Sequence, residues 1–203
     1  MTHNKFLTHA LAAAAVLAAS GAVHAQVTNG SFEDPLVTYQ ATPPAGWTGS
    51  AEHFNPFAYD PDLGAAQDGV MVVDLAWASG GSIAQQLATS VGQQYQVSFW
   101  MGNSNYVGRA GASQIDVSVD GYNGSFNIGA ATQKAIAWQP MSFLFTATTA
   151  TPTLTFSNSQ DQLQVFAFMD NVTVTAVPEP SAYVLALVGL GMLGFMARRR
   201  QGS

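Results

Sequence analysis

The residues of this chain best suited to chemistry are aromatic rings with polar partners. Flat aromatic faces can stack on sugar rings, while amide, carboxylate and guanidinium groups bind sugar hydroxyls. Trp100 alternates out of phase with Val97 and Phe99, which indicates an outer sheet face. Arg109 could bind a sugar hydroxyl or an acidic glycan with its forked donors. The carbohydrate-binding candidates are Trp77, Trp100, Tyr106, Arg109 and Trp138, with Tyr59 and Tyr122 in a wider set. Packing is the simpler explanation of each ring taken singly.

Few residue types suited to covalent or metal-dependent catalysis occur in the sequence. The chain has no cysteine, which excludes thiol catalysis and Cys-ligated zinc. His53 is the only histidine beyond residue 25, so a His-rich metal centre is excluded and a Ser-His-Asp triad could use only that residue. No G-x-S-x-G, H-E-x-x-H or phosphate-binding motif occurs. The Glu52-His53-Phe54 segment and the pair Asp60 and Asp62 are interpreted as solvated loop residues.

Paired carboxylates could in principle hydrolyse glycosidic bonds. The acidic residues show no spacing that singles out an acid and a nucleophile. We therefore predict that the protein is not an enzyme.

The N-terminus has the form of a secretory signal peptide. Lys5 and the amino terminus supply a positive start, Ala10–Ala19 is apolar, and Val23-His24-Ala25 has the small-x-small pattern of a cleavage site. We predict that residues 1–25 are the signal peptide and that the mature chain begins at Gln26. A retained N-terminal membrane helix is the alternative, and the short apolar run argues against it.

The C-terminus carries a second targeting pattern, predicted to span residues 177–203. Pro178-Glu179-Pro180 precedes an apolar run from Ala182 to Ala197, and the basic cluster Arg198, Arg199 and Arg200 follows it. The run is just under the ~17–25 residues that span a bilayer. A basic cluster stays cytoplasmic, so the simplest interpretation is a C-terminal membrane anchor with the preceding chain outside.

The order and spacing of this tail resemble the PEP-CTERM sorting signal of Gram-negative bacteria that make exopolysaccharide. The resemblance implies recognition and removal by an exosortase, so that the apolar helix is a transient handle in the membrane. Between the two signals remain two bases, Arg109 and Lys134, against eleven acids, a net charge of −9 compared with −6 for the full chain. Nucleic acid is not an expected partner, because phosphate binding needs clustered Lys and Arg.

The middle of the chain is predicted to be all-β. Alternating apolar and polar residues at 95–100, 115–120, 141–146, 153–156 and 166–175 indicate half-buried strands, and 70–77 and 82–87 supply two more. Asp120-Gly121 and Asn123-Gly124 mark a tight turn. Only Ala65–Ala66 and Ala130–Ile136 suggest helix. Many short strands separated by turn residues predict a β-sandwich or barrel over residues 26–176.

Several motifs in this segment resemble galactose-binding-like jelly rolls, which include carbohydrate-binding modules and bacterial choice-of-anchor proteins. Asn29-Gly30-Ser31-Phe32-Glu33 resembles the family opening, and Gly46-Trp47 follows. Gly81-Ser82-Ile83 to Gln86-Leu87 resembles the central portion, and Asp170-Asn171-Val172-Thr173-Val174 the closing strand. The resemblance implies an all-β, galactose-binding-like jelly-roll β-sandwich, flanked here by the signal peptide and one C-terminal hydrophobic helix.

Glu33 and Asp170 lie in the opening and closing segments, which are often neighbours in a sandwich. Two adjacent carboxylates repel unless a cation separates them, and oxygen ligands favour Ca²⁺ over softer metals. The family resemblance implies a structural calcium ion there, with Glu33 and Asp170 as side-chain ligands and backbone carbonyls completing the shell. The alternative is a solvated Glu33 and an Asp170 that accepts hydrogen bonds within a turn.

Together these patterns predict a protein that is exported across the inner membrane. It is anchored in the membrane before C-terminal processing, and lies at the cell surface or outside the cell afterwards. We expect non-catalytic binding of exopolysaccharide or cell-wall glycan. One alternative is a structural or adhesive biofilm matrix component without a discrete ligand site, and a second is a glycan-active hydrolase.

Overall fold

The computed structural model describes residues 26–76, 80–178, 188–189 and 192. Within them the chain forms two antiparallel sheets. The strands are β1 (Tyr39–Gln40), β2 (Thr48–Ser50), β3 (Glu52–Phe54), β4 (Val72–Asp74), β5 (Ser82–Gln86), β6 (Gln94–Asn103), β7 (Ser113–Val119), β8 (Tyr122–Ile128), β9 (Ala137–Thr146), β10 (Thr153–Ser157) and β11 (Phe168–Ala176). One sheet has six strands in the order β1-β3-β4-β11-β6-β9, and the other has five in the order β2-β5-β10-β7-β8.

The main core lies between the two sheets and follows from the period-two pattern of the strands. In β6 the residues Tyr95, Val97, Phe99 and Met101 are buried in that core, while Trp100 lies on the opposite face. The buried hydrophobic residues among those described all lie between Phe32 and Val174. The predicted strands are confirmed over the described residues, although β4 is shorter than the predicted 70–77 and β11 begins at Phe168 instead of 166. The buried core residues that are described lie between the two predicted targeting signals.

The turn predicted at Asp120-Gly121 joins β7 to β8. Asp120 and Gly121 have φ angles of 48° and 85°, the two consecutive positive values that a two-residue hairpin turn requires. Asn123-Gly124, predicted as part of the same turn, lies inside β8 instead. Two adjacent turn-like dipeptides compete for one hairpin, and the residue pairing of β7 with β8 selects the first.

A second, smaller apolar cluster covers part of the outer face of the six-stranded sheet. It contains buried Phe54, Leu63, Val72, Ile136, Phe166 and Phe168, with Ala66, Tyr106 and Trp138 packed against it. Four connections between strands contribute to this cluster, namely 55–71, 104–112, 129–136 and 158–167. Backbone hydrogen bonds join them, for example from Ile136 N to Leu63 O at 2.9 Å and from Gly111 N to Gln164 O at 2.9 Å.

Helical turns occur in these connections, but not where the sequence suggested them. The α-helix Pro56–Tyr59 begins after Asn55, whose side chain accepts a hydrogen bond from Ala58 N. A 3₁₀ turn, Pro61–Leu63, follows it. Proline in the first turn favours both starts, since it has no N–H to leave unpaired there. The suggested helices at 65–66 and 130–136 are wrong, because those alanine-containing stretches are irregular loop.

The last strand carries the chain directly to the sorting motif. Val177 N donates to Gln94 O at 2.8 Å, and Gln93 Nε2 donates to Val177 O at 2.6 Å. Of the Pro-Glu-Pro motif, the structure describes the first residue, Pro178. Outside the described residues lie Glu179, Pro180, the Arg198–Arg200 cluster and the predicted signal peptide. Among the residues described, no helix is long and apolar enough to cross a membrane.

Candidate functional site

A cleft of about 190 Å³ opens on the outer face of the six-stranded sheet, against the second apolar cluster. We call it the tyrosine cleft. Its lining residues are Tyr39, Glu52, Phe54, Tyr59, Leu63, Tyr106, Val107, Arg109 and Phe166. They come from the edge strand β1, from its neighbour β3, and from the connections 55–71, 104–112 and 158–167. Strand pairing and loop packing therefore assemble a site whose members are up to 127 positions apart in sequence.

One wall of the tyrosine cleft is a group of three aromatic rings. The ring centroids of Tyr39 and Tyr59 are 5.8 Å apart, and those of Phe54 and Tyr59 are 5.5 Å apart. Tyr39 and Phe54 face one another in the register of β1 with β3. Tilted and edge-on contacts of this kind fix each ring against the next. The wall is therefore an ordered apolar surface with exposed ring edges.

Another part of the lining holds Arg109 by stacking instead of by an ion pair. Phe166 stacks on Phe168 with centroids 4.9 Å apart and planes at 13°, and the Arg109 Cζ atom lies 4.5 Å from the Phe166 centroid. The ion pair that the described residues form joins Lys134 to Asp62. Arg109 therefore has no carboxylate partner among the described residues. A guanidinium held over a ring keeps its N–H donors available to a ligand.

A carboxylate supplies the main acceptor in the cleft. Tyr39 Oη donates a hydrogen bond to Glu52 Oε1 at 2.6 Å. Burial, followed by the hydrogen bond to Glu52, raises the pKa of the Tyr39 phenol well above its ordinary value of 10. Glu52 Oε2 has no hydrogen-bond partner among the described residues, so that oxygen can accept from a ligand.

A second carboxylate lies beneath Glu52. Asp74 is opposite Glu52 in the register of β3 with β4 and is 1% exposed. Its Oδ1 accepts hydrogen bonds from Ala76 N and Ala167 N, both at 2.9 Å. Burial raises the pKa of the Asp74 carboxyl to about 6, against the effect of these bonds and of the Arg109 charge. The carboxyl group fixes the chain around the cleft and is too buried to reach a ligand.

Tyr106 joins the connection 104–112 to the connection 55–71 at the border of the cleft by a hydrogen bond to Asp60. Its Oη donates to Asp60 Oδ2 at 2.6 Å, and Asp60 Oδ1 accepts from Asp62 N at 2.9 Å. The bond to the carboxylate raises the pKa of the Tyr106 phenol to about 12 and lowers that of Asp60. Asp60 and Asp62 thus organise the loop instead of being free solvated residues. Lys134 joins this group through Asp62 at 2.7 Å.

The structure brings only some of the predicted binding residues together. Tyr106, Arg109 and Tyr59 line the tyrosine cleft. Trp138 packs behind it over Gly102, and its Nε1 donates to Ala65 O at 3.2 Å. Trp77 lies outside the described residues.

Trp100 belongs to a separate, shallower depression of about 380 Å³, which we call the Trp100 face. Its lining residues are Ser98, Phe99, Trp100, Pro140, Met141, Ser142, Asn171 and Thr173. The tryptophan is half-buried and pairs across the sheet with Asp170 and Pro140. This depression offers one large ring with hydroxyl and amide groups, and its lining residues carry no charge.

Sequence reasoning missed Tyr39, Glu52 and Phe166 as site residues. The 52–54 segment, expected to be solvated loop, is strand β3 with His53 and Phe54 buried. The period-two signal of so short a strand is only one repeat long, which explains the error. The sequence signal that could have pointed to this site is the pair of tyrosines on either side of that strand, Tyr39 before it and Tyr59 after it.

His53 takes no part in the cleft. It faces the main core at 0% exposure, with Nε2 2.7 Å from Phe32 O and Nδ1 3.0 Å from Gln40 Nε2. Burial lowers its pKa. Its two ring nitrogens are occupied by a backbone carbonyl and a side-chain amide, so the triad conceivable from sequence is not formed.

Glu33, one of the two predicted calcium ligands, turns towards the connection 55–71. Its Oε1 accepts hydrogen bonds from Val70 N at 2.9 Å and Met71 N at 2.8 Å. Gly69 has φ of 61°, and a Cβ there would lie 2.4 Å from the Glu33 carboxylate. The glycine therefore allows the backbone to pass close to the carboxylate.

Asp170, the second predicted ligand, reaches the same connection. Its Oδ2 accepts from Gln67 N and Asp68 N, both at 2.9 Å, and its Oδ1 accepts from Asn171 N at 2.6 Å. Burial raises the pKa of the Asp170 carboxyl to about 7, although these bonds oppose the rise. The two carboxylates thus converge on residues 67–71, as expected of the opening and closing segments.

The donor set at this place fits calcium in part. Glu33 Oε2 and the second lone pair of Asp170 Oδ1 have no donor among the described residues, which leaves hard oxygen ligands of the kind calcium takes. Five backbone N–H groups already stabilise the carboxylates. The described residues contain no group of three or more His, Asp or Glu that could hold a metal ion. Calcium at Glu33 and Asp170 stays a prediction.

Known proteins and structures resemble both parts of the chain. The family described as "Protein of unknown function (DUF642)" matches residues 25–175, and the PEP-CTERM protein-sorting motif matches residues 176–200. The structure of TmCBM61 in complex with beta-1,4-galactotriose is similar over 74% of this chain and 97% of its own, at 16% identity and a TM-score of 0.50. No curated protein shows a significant match.

Two further structures are similar at lower scores. A CBM4 structure covers 74% of this chain and 99% of its own at 20% identity and a TM-score of 0.45. The Family 16 Carbohydrate Binding Module-2 covers 73% and 98% at 18% identity and a TM-score of 0.45. At such identities the likeness shows the fold alone. The predicted jelly-roll sandwich and the predicted sorting motif are confirmed.

Proposed function

The chain belongs to the DUF642 family and carries a PEP-CTERM sorting motif, and from this premise we propose that it is an exported, non-catalytic protein that binds an extracellular glycan in the tyrosine cleft. The expected ligand is exopolysaccharide or cell-wall glycan. The expected processing is removal of the tail, residues 177–203, by an exosortase after the signal peptide, residues 1–25, has directed export.

The observation that carries this proposal is the composition of the cleft. A group of aromatic rings and a stacked guanidinium line the same cleft as Glu52, whose Oε2 has no hydrogen-bond partner among the described residues. Sugar recognition uses this combination, because apolar ring faces pack on aromatic rings while hydroxyls need both donors and acceptors. The TmCBM61 complex with galactotriose supports a glycan as ligand class, since the two chains share a fold.

Catalysis finds less support in the same geometry. Glycoside hydrolysis needs two carboxyl groups that both reach the scissile bond. Glu52 lines the cleft, whereas its nearest acidic neighbour in the sheet, Asp74, is 1% exposed and bonded to two backbone amides. A binding site is therefore favoured over a hydrolytic one.

The test is retention of the exported chain on immobilised polysaccharides, including the exopolymer of the producing cells. We expect retention that soluble oligosaccharide displaces. Absence of retention on every glycan would contradict the proposal, and self-association without sugar binding would instead support a structural matrix component. Release of new reducing ends, lost on Glu52→Gln, would support a hydrolase.

A further inference from the structure

We propose that the tyrosine cleft binds a single neutral sugar unit at the end of a glycan chain. The inference rests on the proposed function and adds to it the ligand class and the part of the chain that is recognised. Three properties of the cleft carry it: its volume, the balance of charge around it, and the position of its donors and acceptors.

The volume selects one sugar unit. Pockets for drug-sized ligands measure ~300–1,000 Å³, and the tyrosine cleft measures about 190 Å³. Its lining combines two groups of side chains, Tyr39 with Tyr59 and Phe166 with Arg109. The second apolar cluster lies behind it and is closed by Leu63, which is 1% exposed. The cleft is therefore closed at its base, and both linkages of an internal unit would have to leave it on the solvent side, whereas a chain end has a single linkage. A terminal unit suits a cleft of this size better for that reason.

The charge around the cleft disfavours acidic sugars. Glu52 lines it, Asp60 is bonded to the lining residue Tyr106, and Asp74 lies beneath, while Arg109 is the one base in its lining. The segment between the targeting signals also has a net charge of −9. A uronate or a sulfate is negatively charged, as are the cleft and the surrounding surface. The repulsion lowers both the affinity and the association rate of such a ligand. A neutral unit has no such cost.

Glu52 and Arg109 line the same cleft and suit two hydroxyls of one sugar unit. The free Oε2 atom of Glu52 accepts from a hydroxyl, and the stacked guanidinium of Arg109 donates through its fork. Tyr39 holds Glu52 in place through its 2.6 Å bond. Since both groups face the same small cavity, they read two hydroxyls of one unit and leave the remaining chain outside.

The experiment measures the affinity of the exported chain for oligosaccharides of two to six units. The neutral series are gluco-, galacto-, manno- and xylo-oligomers, and the acidic series is oligogalacturonate. We expect one neutral series to bind, with affinity varying less than about threefold with length and little affected by salt between about 50 and 500 mM. Affinity that rises more than tenfold with length, or a preference for oligogalacturonate, would overturn this inference but leave glycan binding intact. If no series binds, both this inference and the proposed glycan-binding function are wrong.

Matched variants test the two hydroxyl-binding groups. Glu52→Gln should lower affinity about tenfold or more, because a hydrogen bond to a charged group is lost without a change of shape. Arg109→Lys keeps the charge but not the fork and should lower affinity similarly. Asp116→Asn, a half-buried carboxylate on the five-stranded sheet, is the control and should bind normally. Wild-type affinity in Glu52→Gln with an unchanged melting temperature would refute the assignment.

Discussion

The tyrosine cleft and the Trp100 face lie on the outer side of the same six-stranded sheet, yet they are built differently. The cleft is made largely of side chains from strand connections and contains charged groups. The Trp100 face is made from the middle of β6, β9 and β11, is open, and is lined by uncharged residues. The same sheet therefore offers a selective pocket where connections cover it and a plain platform where they do not.

Packing beneath the two regions differs in the same way. The second apolar cluster supports the cleft through Phe166, Phe168 and Leu63. At the Trp100 face the large apolar side chain is Trp100 itself, and its neighbours Ser98, Ser142 and Thr173 are small and polar. Cleft side chains are consequently held in place on several sides, which a selective binding site needs, whereas Trp100 is not.

The largest expected effect is that of Phe166→Ala. It removes the ring between Phe168 and Arg109, so both the cluster and the guanidinium lose their support. We expect a loss of about 3–5 kcal/mol in the free energy of unfolding and loss of glycan retention. Phe57→Ala, at an exposed ring in the connection 55–71, is the control and should change stability by no more than about 0.5 kcal/mol. Denaturant unfolding measures both; equal effects would mean that the cluster does not support the cleft.

Calcium provides a second contrast, because its predicted ligand Asp170 pairs with Trp100 and lies away from the cleft. If Glu33 and Asp170 bind calcium, an excess of about 100 times Kd adds about 2.7 kcal/mol to stability. The melting temperature should then fall on chelation, and Asp170→Asn should abolish the difference. An unchanged melting temperature with EDTA would show that the five backbone amides alone satisfy these carboxylates.

Gly102→Ala tests how closely the connections fit the sheet next to the cleft. A Cβ at Gly102 would lie 2.5 Å from Ile136 Cγ2 and 2.8 Å from Trp138 Cζ3. Overpacking of this kind costs about 1–3 kcal/mol. Gly129→Ala is the matched control, because a Cβ there meets no atom within 4 Å. Equal stability of the two variants would contradict the packing of Trp138 on the sheet.

The pH dependence of stability should distinguish the two buried carboxyls, Asp74 beneath the cleft and Asp170 beside Trp100. Their folded pKa values, about 6 and about 7, exceed the ordinary 3.8. The folded state then binds more protons, so this stabilisation is complete below 3.8 and is lost as the pH rises through 6 and 7. The lowered pKa of His53 acts oppositely, with stability lost as the pH falls below 6.5.

Melting temperatures from pH 4 to pH 8 without calcium measure this balance. Asp170→Asn should flatten the decline between about pH 4 and 7, and Asp74→Asn the decline between about pH 4 and 6, because each removes one titrating group. The two variants should therefore differ most between about pH 6 and 7, where Asp170 alone of the two still causes a decline. If both variants keep the wild-type slope, neither carboxyl is protonated in the folded state.

The two regions also differ in how far the sequence predicts them. Trp100 could be assigned to an outer face because β6 is ten residues long and its alternation is unambiguous. Glu52 could not, because β3 has three residues and its pairing with β1 and β4 depends on contacts far apart in sequence. Tyr106 and Arg109 were found by composition alone. The contact of Arg109 with Phe166 could not be predicted, because it forms only where the connections 104–112 and 158–167 meet, and no local sequence pattern encodes that meeting.

Trp100→Ala should have the smallest effect and is the direct test between the regions. Because its ring is half-buried and lies on an open face, its removal should cost no more than about 1 kcal/mol of stability and change glycan affinity less than twofold. Tyr106→Ala, an equally half-buried ring in the cleft, should lower affinity about tenfold, since it also releases Asp60. Loss of retention in Trp100→Ala with normal binding in Tyr106→Ala would move the binding site to the Trp100 face. Reduced binding in both variants would mean that one glycan chain extends from the cleft across the sheet to Trp100.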